Sequence, residues 1–197
     1  GVIVPGGFGV RGTEGKIRCV RYARERGLPY LGLCYGFQMA VIEYARHVCG
    51  LEGAHSTEID PNCPHPVIDL LPEQRGLKNF GGSMRLGGHD IEITPGSRAA
   101  EIFGGATVIR QRFRHRYEVH PDYIQRFTEK GLVFSGKAPG QPIMQILELP
   151  EHPFFLGTQA HPEFTSRPLS PSPLFLAFVQ AAVAHAAGAE SLVKRPG

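Results

Sequence analysis

Three things are scarce in this chain, and each scarcity removes a class of explanation. Charge of one sign is scarce: 21 Lys and Arg against 18 Asp and Glu leave a net +3, too mild to demand nucleic acid or an anionic membrane as a partner. Long apolar runs are absent, for nothing approaches the ~18 residues that a membrane helix needs. No basic-then-apolar leader opens the chain either, so the expectation is a soluble cytoplasmic protein. Cysteine is limited to positions 19, 34, 49 and 63, with no C-x-x-C spacing to suggest a redox motif and only an even count to suggest disulfides. Cys63 and His65 in "DPNCPHPV" are the nearest approach to a ligand pair, and they lack two further partners at zinc spacing, so no metal is expected.

What is present is ordinary globular composition: 197 residues, 42% hydrophobic and 20% charged, enough for one domain with a sizeable core. A single domain is assigned to residues 1–188, with 189–197 as a flexible, frayed tail. "VIVPGG" reads as a short buried strand ended by Pro and Gly. Thr13 to Arg26 reads as a helix capped by Thr13, with Ile17, Val20 and Ala23 on one face and Gly27 as its stop. "LPYLGL" returns to strand, and Phe37 to Val48 forms a second helix ended by Gly50. Strand, helix, strand, helix within 50 residues predicts an α/β sheet with right-handed crossovers. Further strands are expected at 89–93, 107–119, 131–135, 143–149 and 154–159, a Pro- and Gly-rich connection at 60–83, and a last helix from Pro173 to Gly188 with Ser172 as its cap.

Two glycine patterns near the start imitate nucleotide sites. Gly7, Gly9 and Gly12 satisfy G-x-G-x-x-G between a strand and a helix, but the acidic residue that should end the next strand is replaced by Cys34. "GTEGKI" lacks both the leading-glycine spacing and the hydroxyl after Lys16 that a phosphate loop requires. Neither pattern supports Rossmann-type dinucleotide binding.

Cys34 itself, in "YLGLCYGFQMA", sits where an apolar strand turns into a helix with Gly32 and Gly36 on either side. A tight strand-to-helix turn imposes strained backbone angles, and flanking glycines permit the close approach it needs. The arrangement is a nucleophile elbow, and the helix N-terminus beneath it favours the thiolate. A lone cysteine is more often a buried, inert hydrophobe, so the reading depends on a base elsewhere. "QAHPEF" supplies His161 and Glu163 two residues apart, on one side of an extended segment. A carboxylate there fixes the imidazole tautomer and supports the imidazolium. Backbone amides after the first strand, at Gly6 and Gly7, together with that of Tyr35, can form an oxyanion site. Arg110, Arg112, Arg114 and Arg116 alternate, which by default marks a charged edge strand.

"PGGFG", "GLCYGFQ" and "HPE" resemble the class I glutamine amidotransferases. The longer strings "VPGGFGVRGTEGK", "STEID", "GGSMRLG", "RHRYEV" and "HPEFTSRPLSPSPLF" are similar to the glutaminase domains of the CTP synthase family. The resemblance implies a flavodoxin-like, mostly parallel central sheet flanked by helices, with the domain's first elements missing from this chain. It implies glutamine hydrolysis by Cys34, His161 and Glu163, with Gly7 and Tyr35 as oxyanion donors. It assigns Phe8, Gln38, Glu58, Arg116 and Tyr117, with Gly7, to glutamine. It further implies that ammonia passes to a synthase domain, absent here, which holds ATP, Mg and UTP, and that the complete enzyme is a homo-oligomer. GTP is implied as an effector near Arg11, Gly12 and Glu14, and no cofactor is expected in this domain. A γ-glutamyl hydrolase or peptidase of the same fold, or a docking fragment without activity, remain alternatives. Tyr35 and Phe37 depart from the family's usual Leu and Met, and His55 and His120 from its usual Asn.

Overall fold

The computed structural model describes residues 1–70 and 84–188. The tail at 189–197 and residues 71–83 of the Pro- and Gly-rich connection lie outside the described residues. In chain order the elements are β1 (Val2–Val4), α1 (Thr13–Arg26), β2 (Tyr30–Leu33), α2 (Tyr35–His47), β3 (His55–Ser56), β4 (Pro66–Asp69) and β5 (Arg85–Ile93). There follow α3 (Arg98–Ile102), β6 (Val108–His115), β7 (Glu118–Val119), α4 (Pro121–Thr128), β8 (Val133–Lys137), β9 (Met144–Glu148), β10 (Phe155–Thr158), a 3-10 turn at Pro162–Phe164, and α5 (Pro173–Ala186).

One seven-stranded sheet runs β1-β2-β10-β9-β8-β5-β6, and β3-β4-β7 form a small second sheet. The α/β class with flanking helices holds, but the sheet is mixed where a mostly parallel one was expected. β1, β2 and β10 are parallel, whereas every pairing from β10 out to β6 is antiparallel. The cause is connection length. Parallel neighbours need a crossover, which α1 supplies between β1 and β2, while β8 to β9 and β9 to β10 are joined by loops too short for one.

Helices cover both faces of the large sheet. Ile17, Val20 and Ala23 of α1, Val41 and Ile42 of α2, and Phe127 of α4 belong to one apolar core. Ala99 of α3 and Leu174 and Phe178 of α5 belong to the other. A buried ion pair ties α1 to α2: Arg24 Nε and Nη2 donate to the two Glu43 oxygens at 2.9 and 2.8 Å. The helix caps differ from expectation. Gly12, in the left-handed region at φ 72°, precedes α1, and Thr13 turns its hydroxyl back to the Val10 carbonyl at 3.0 Å. Ser172 makes no side-chain cap on α5. The expected strand at 107–119 is broken at Arg116 and Tyr117, and its last two residues join the second sheet.

Candidate active site

The site forms where the three parallel strands end. Cys34 leaves β2 with φ 48° and ψ −95°, the one positive φ on a non-glycine residue among the described residues. Such a conformation costs of order 1–3 kcal/mol and persists only when its surroundings hold it. Those surroundings are visible: the Cys34 N–H donates to the Thr158 carbonyl at 2.7 Å. A Cβ on Gly36 would collide with the Val4 carbonyl, and one on Gly32 would stand 2.8 Å from the Gly36 backbone. The two glycines around the cysteine are therefore steric necessities of the turn.

His161 follows β10, the neighbour of β2. Its backbone N–H donates to the Arg112 carbonyl at 2.8 Å, and its ring stacks on Phe164 at 5.0 Å between centroids. Nδ1 lies 2.6 Å from Glu163 Oε1. A carboxylate accepts, so Nδ1 is the donor of this bond, and in the neutral imidazole that tautomer leaves Nε2 as the acceptor nitrogen. That Nε2 is buried and has no hydrogen-bond partner among the described residues. Gly6 separates imidazole from cysteine: a Cβ there would stand 2.9 Å from His161 Cε1 and 3.8 Å from Cys34 Cβ. Both groups thus border the same glycine backbone, adjacent to Gly7.

The Cys34 thiol is pushed up to about 12, chiefly by burial, against the hydrogen bond from Gln159 and that from the Tyr35 backbone. The helix end was expected to favour the thiolate, but desolvation outweighs it. Burial thus favours the thiol form, and any step that uses this sulfur as a nucleophile requires an acceptor for its proton.

The residues assigned to glutamine surround this point unevenly. Gln38 on α2 is buried and donates from Nε2 to the Tyr117 carbonyl at 3.1 Å. Arg116 and Tyr117 form the link from β6 to β7, both half-buried. The phenol of Tyr117 is raised in pKa by burial first and then by the charge of Glu58, and the charge of Glu58 also acts on the Tyr35 phenol. Glu58 Oε1 accepts the Gly9 N–H at 3.1 Å. Phe8, by contrast, is 88% exposed. Arg11 is exposed, and Glu14 reaches across to Arg46, with both carboxylate oxygens 3.0 Å from Nη1. Arg110, Arg112 and Arg114 are exposed on β6, at the margin of the large sheet, and Arg110 pairs with Asp90 at 2.8 Å.

Sequence reasoning passed over Gln159. It is fully buried, with Nε2 3.5 Å from Cys34 Sγ and Oε1 3.4 Å from Gln38 Nε2. Strand alternation gave no signal for it, because β10 ends at Thr158; for the same reason His161 and Glu163 meet across the 3-10 turn at Pro162–Phe164 and not on one side of an extended segment as expected.

Comparison with known proteins agrees with this architecture. A family model described as glutamine amidotransferase class-I matches residues 1–181. The CTP synthase of Archaeoglobus fulgidus is 58% identical over 185 residues, 94% of this chain and 35% of that protein. The CTP synthase of Thermococcus kodakarensis is 57% identical over 92% of this chain and 34% of its own length. The chain therefore spans about a third of the length of the curated relatives it matches. Among solved structures, the glutaminase domain of Trypanosoma brucei CTPS, with bound acivicin, superposes with a TM-score of 0.85 at 36% identity, over 92% of this chain and 70% of that one. The elbow, the strand order and these relatives lead to one assignment: the chain belongs to the class-I glutamine amidotransferases, alongside the glutaminase domains of CTP synthases.

Proposed function

We propose that this chain hydrolyses L-glutamine through Cys34, His161 and Glu163. The observation that carries the reading is His161, whose Nδ1 is held by Glu163 at 2.6 Å while its buried Nε2 has no partner among the described residues and its ring borders Gly6 together with Cys34. In the first step the Cys34 proton passes to Nε2 as sulfur bonds to the side-chain amide carbon of glutamine. The negative oxygen accepts from the Gly7 and Tyr35 amides. His161 then gives its proton to the amide nitrogen, the C–N bond breaks, and ammonia departs from a γ-glutamyl thioester. Water attacks the thioester, its proton is relayed through His161 to sulfur, and glutamate leaves.

Glu58 suits the substrate ammonium, and Arg116, beside Tyr117, suits its α-carboxylate as a two-pronged donor. Gln38 completes the wall, and Phe8 is free to close over bound substrate. The relatives' longer chains support a second part of the reading: ammonia released here serves an ATP- and Mg-dependent amination of UTP on a synthase domain, within a cytoplasmic homo-oligomer. GTP acting at Arg11, Gly12 and Glu14 belongs to the same reading, since that loop continues from the oxyanion glycines. No cofactor enters the chemistry of this domain. The deciding experiment is labelling with a diazo ketone analogue of glutamine, read by peptide mass spectrometry. Stoichiometric modification of Cys34 is expected, and an unlabelled Cys34 in the full chain would overturn the assignment.

A further inference from the structure

Around the Cys34 sulfur stand groups of opposite preference. The Arg114 carbonyl lies 4.0 Å away, an acceptor toward which the thiol S–H points. The Gln159 side-chain nitrogen lies 3.5 Å away, a donor. A carbonyl favours the thiol, and an N–H favours the thiolate and any charge that sulfur carries as a bond to it breaks. Which end of the Gln159 amide faces sulfur therefore matters, and an amide's shape alone does not decide it.

The surrounding bonds decide it. The Tyr117 carbonyl is a backbone acceptor that cannot be reversed, and it takes one N–H of Gln38 at 3.1 Å. The remaining N–H of that Gln38 nitrogen faces Gln159 Oε1 at 3.4 Å. Once its oxygen is so engaged, Gln159 has only its nitrogen to present to sulfur. The Gln159 backbone is clamped as well, its N–H donating to the Gln145 carbonyl at 2.8 Å. The side chain is fully buried, so no solvent competes for these bonds.

We propose that Gln159 is a catalytic residue of this site: its side-chain N–H holds the Cys34 sulfur and stabilises its negative form as the thioester is made and broken, in an orientation dictated through Gln38 by the Tyr117 carbonyl. The inference rests on Cys34 being the nucleophile. It also joins the two ends of the substrate site. Tyr117 adjoins Arg116, so a glutamine gripped at its α-carboxylate acts on the same chain of bonds that ends at sulfur. A passive packing residue in this position would need bulk but no donor.

The test uses the full chain with Gln159→Met, which keeps the volume and removes the donor, and Gln159→Glu, which keeps an acceptor for Gln38 and sets a carboxylate beside sulfur. Alkylation of Cys34 by iodoacetamide is followed from neutral to alkaline pH by mass spectrometry, alongside glutamine hydrolysis. Gln159→Met should slow both alkylation at neutral pH and kcat by about ten- to a hundredfold, the worth of a hydrogen bond to a charged group. The alkylation profile should move to higher pH while KM changes little. Gln159→Glu should be slower still, because like charges repel. A wild-type pH profile in Gln159→Met, or faster alkylation in Gln159→Glu, overturns the proposal. The underlying nucleophile assignment fails in a different way, by absence of diazo ketone label on the unmodified protein, so the two failures are distinguishable.

Discussion

The hydroxyl of Tyr35, the residue after Cys34, donates to the carbonyl of Gly9 at 2.5 Å and stands 3.1 Å from Thr13 Oγ1. Its ring also lies beneath Gly7, where a Cβ would come within 3.6 Å of Cδ1. A side chain leaving the elbow thus fastens the loop that carries the proposed oxyanion glycine. Tyr35→Phe removes the fastening and keeps the ring. Glutamine hydrolysis should fall several-fold, consistent with loss of one or two hydrogen bonds worth about 1 kcal/mol each, and proteolysis at residues 8–12 should quicken. Wild-type rates and wild-type proteolysis would show that the loop holds itself.

The triad reading carries a graded expectation. Cys34→Ala and His161→Ala should each cost on the order of 10⁴-fold or more in glutamine hydrolysis, since members of such a unit fail together. Glu163→Ala should be milder, because the base survives and only its orientation and tautomer are lost. In the complete enzyme, amination supported by added ammonia should persist in all three. Residual glutaminase in Cys34→Ala, measured by glutamate release, would contradict the scheme.

Alkaline stability offers an independent check. Burial raises the Cys34 thiol from an ordinary 9.0 to about 12, so on raising the pH the unfolded chain loses that proton before the folded one does. The folded state's advantage is whole below about 9 and is lost progressively toward 12. Urea unfolding across that interval should therefore show Cys34→Ala losing less stability than the parent. Parallel curves for the two proteins would mean that the thiol titrates alike in both states.

His152 predicts the opposite dependence in acid. Its Nδ1 accepts from the Phe154 N–H at 3.2 Å, its Nε2 donates to the Ala23 carbonyl at 3.1 Å, and burial lowers its pKa below 6.5. The neutral form is the folded one, so its stabilisation is complete above about 6.5 and declines as pH falls. His152→Gln should flatten the acid limb of the thermal melting profile, at some cost in packing at neutral pH.

Arg24 and Glu43 test the helix pair behind the site. Glu43 is wholly buried and its carboxylate takes both prongs of the guanidinium. Arg24→Ala leaves that charge buried beside His47, whose Nδ1 lies 3.3 Å away, and should cost about 3–5 kcal/mol in urea unfolding. A loss under ~1 kcal/mol, the range of exposed pairs, would show that the carboxylate is neutralised when the arginine is removed.

The effector proposal is sharpened by where Glu14 goes. Its carboxylate is engaged by Arg46 at 3.0 Å, leaving Arg11 as the exposed cation of the loop's outer turn. Arg11→Ala in the complete enzyme should weaken GTP stimulation of glutamine-dependent synthesis and spare the ammonia-dependent reaction. An unchanged GTP response in that assay would remove the loop from the effector site.

The parts of the fold that could be read in advance were those governed by local rules. α1 was bounded by its apolar spacing and by Gly27, and the elbow by two glycines whose need is steric. The small second sheet escaped notice because β3 and β7 have two residues each, too few to show a period. The antiparallel half of the large sheet depends on which strands pair, and no single strand's pattern encodes its neighbour. Cys34, His161 and Glu163 were legible because their residue types and spacing imply a chemistry. The raised pKa of Cys34 was not, because desolvation depends on what the whole chain packs around it. Gln159 was not, because an amide has no pKa or charge to draw attention and the residue lies just beyond the end of β10.

Cys34 and His161 lie far apart along the chain, yet their strands are hydrogen-bonded neighbours, with Thr158 level with Leu33. Their meeting therefore depends on a count of residues in two short ladders, and lengthening a distant surface loop leaves that count alone. Inserting one residue between Phe155 and His161 would turn the imidazole to the opposite side of the sheet. Tolerance of insertions and deletions should accordingly be sharply uneven: near zero in the few residues leading into Cys34 and His161, and generous at the turns of the antiparallel half. A library of single-codon insertions would trace the active site by its silences.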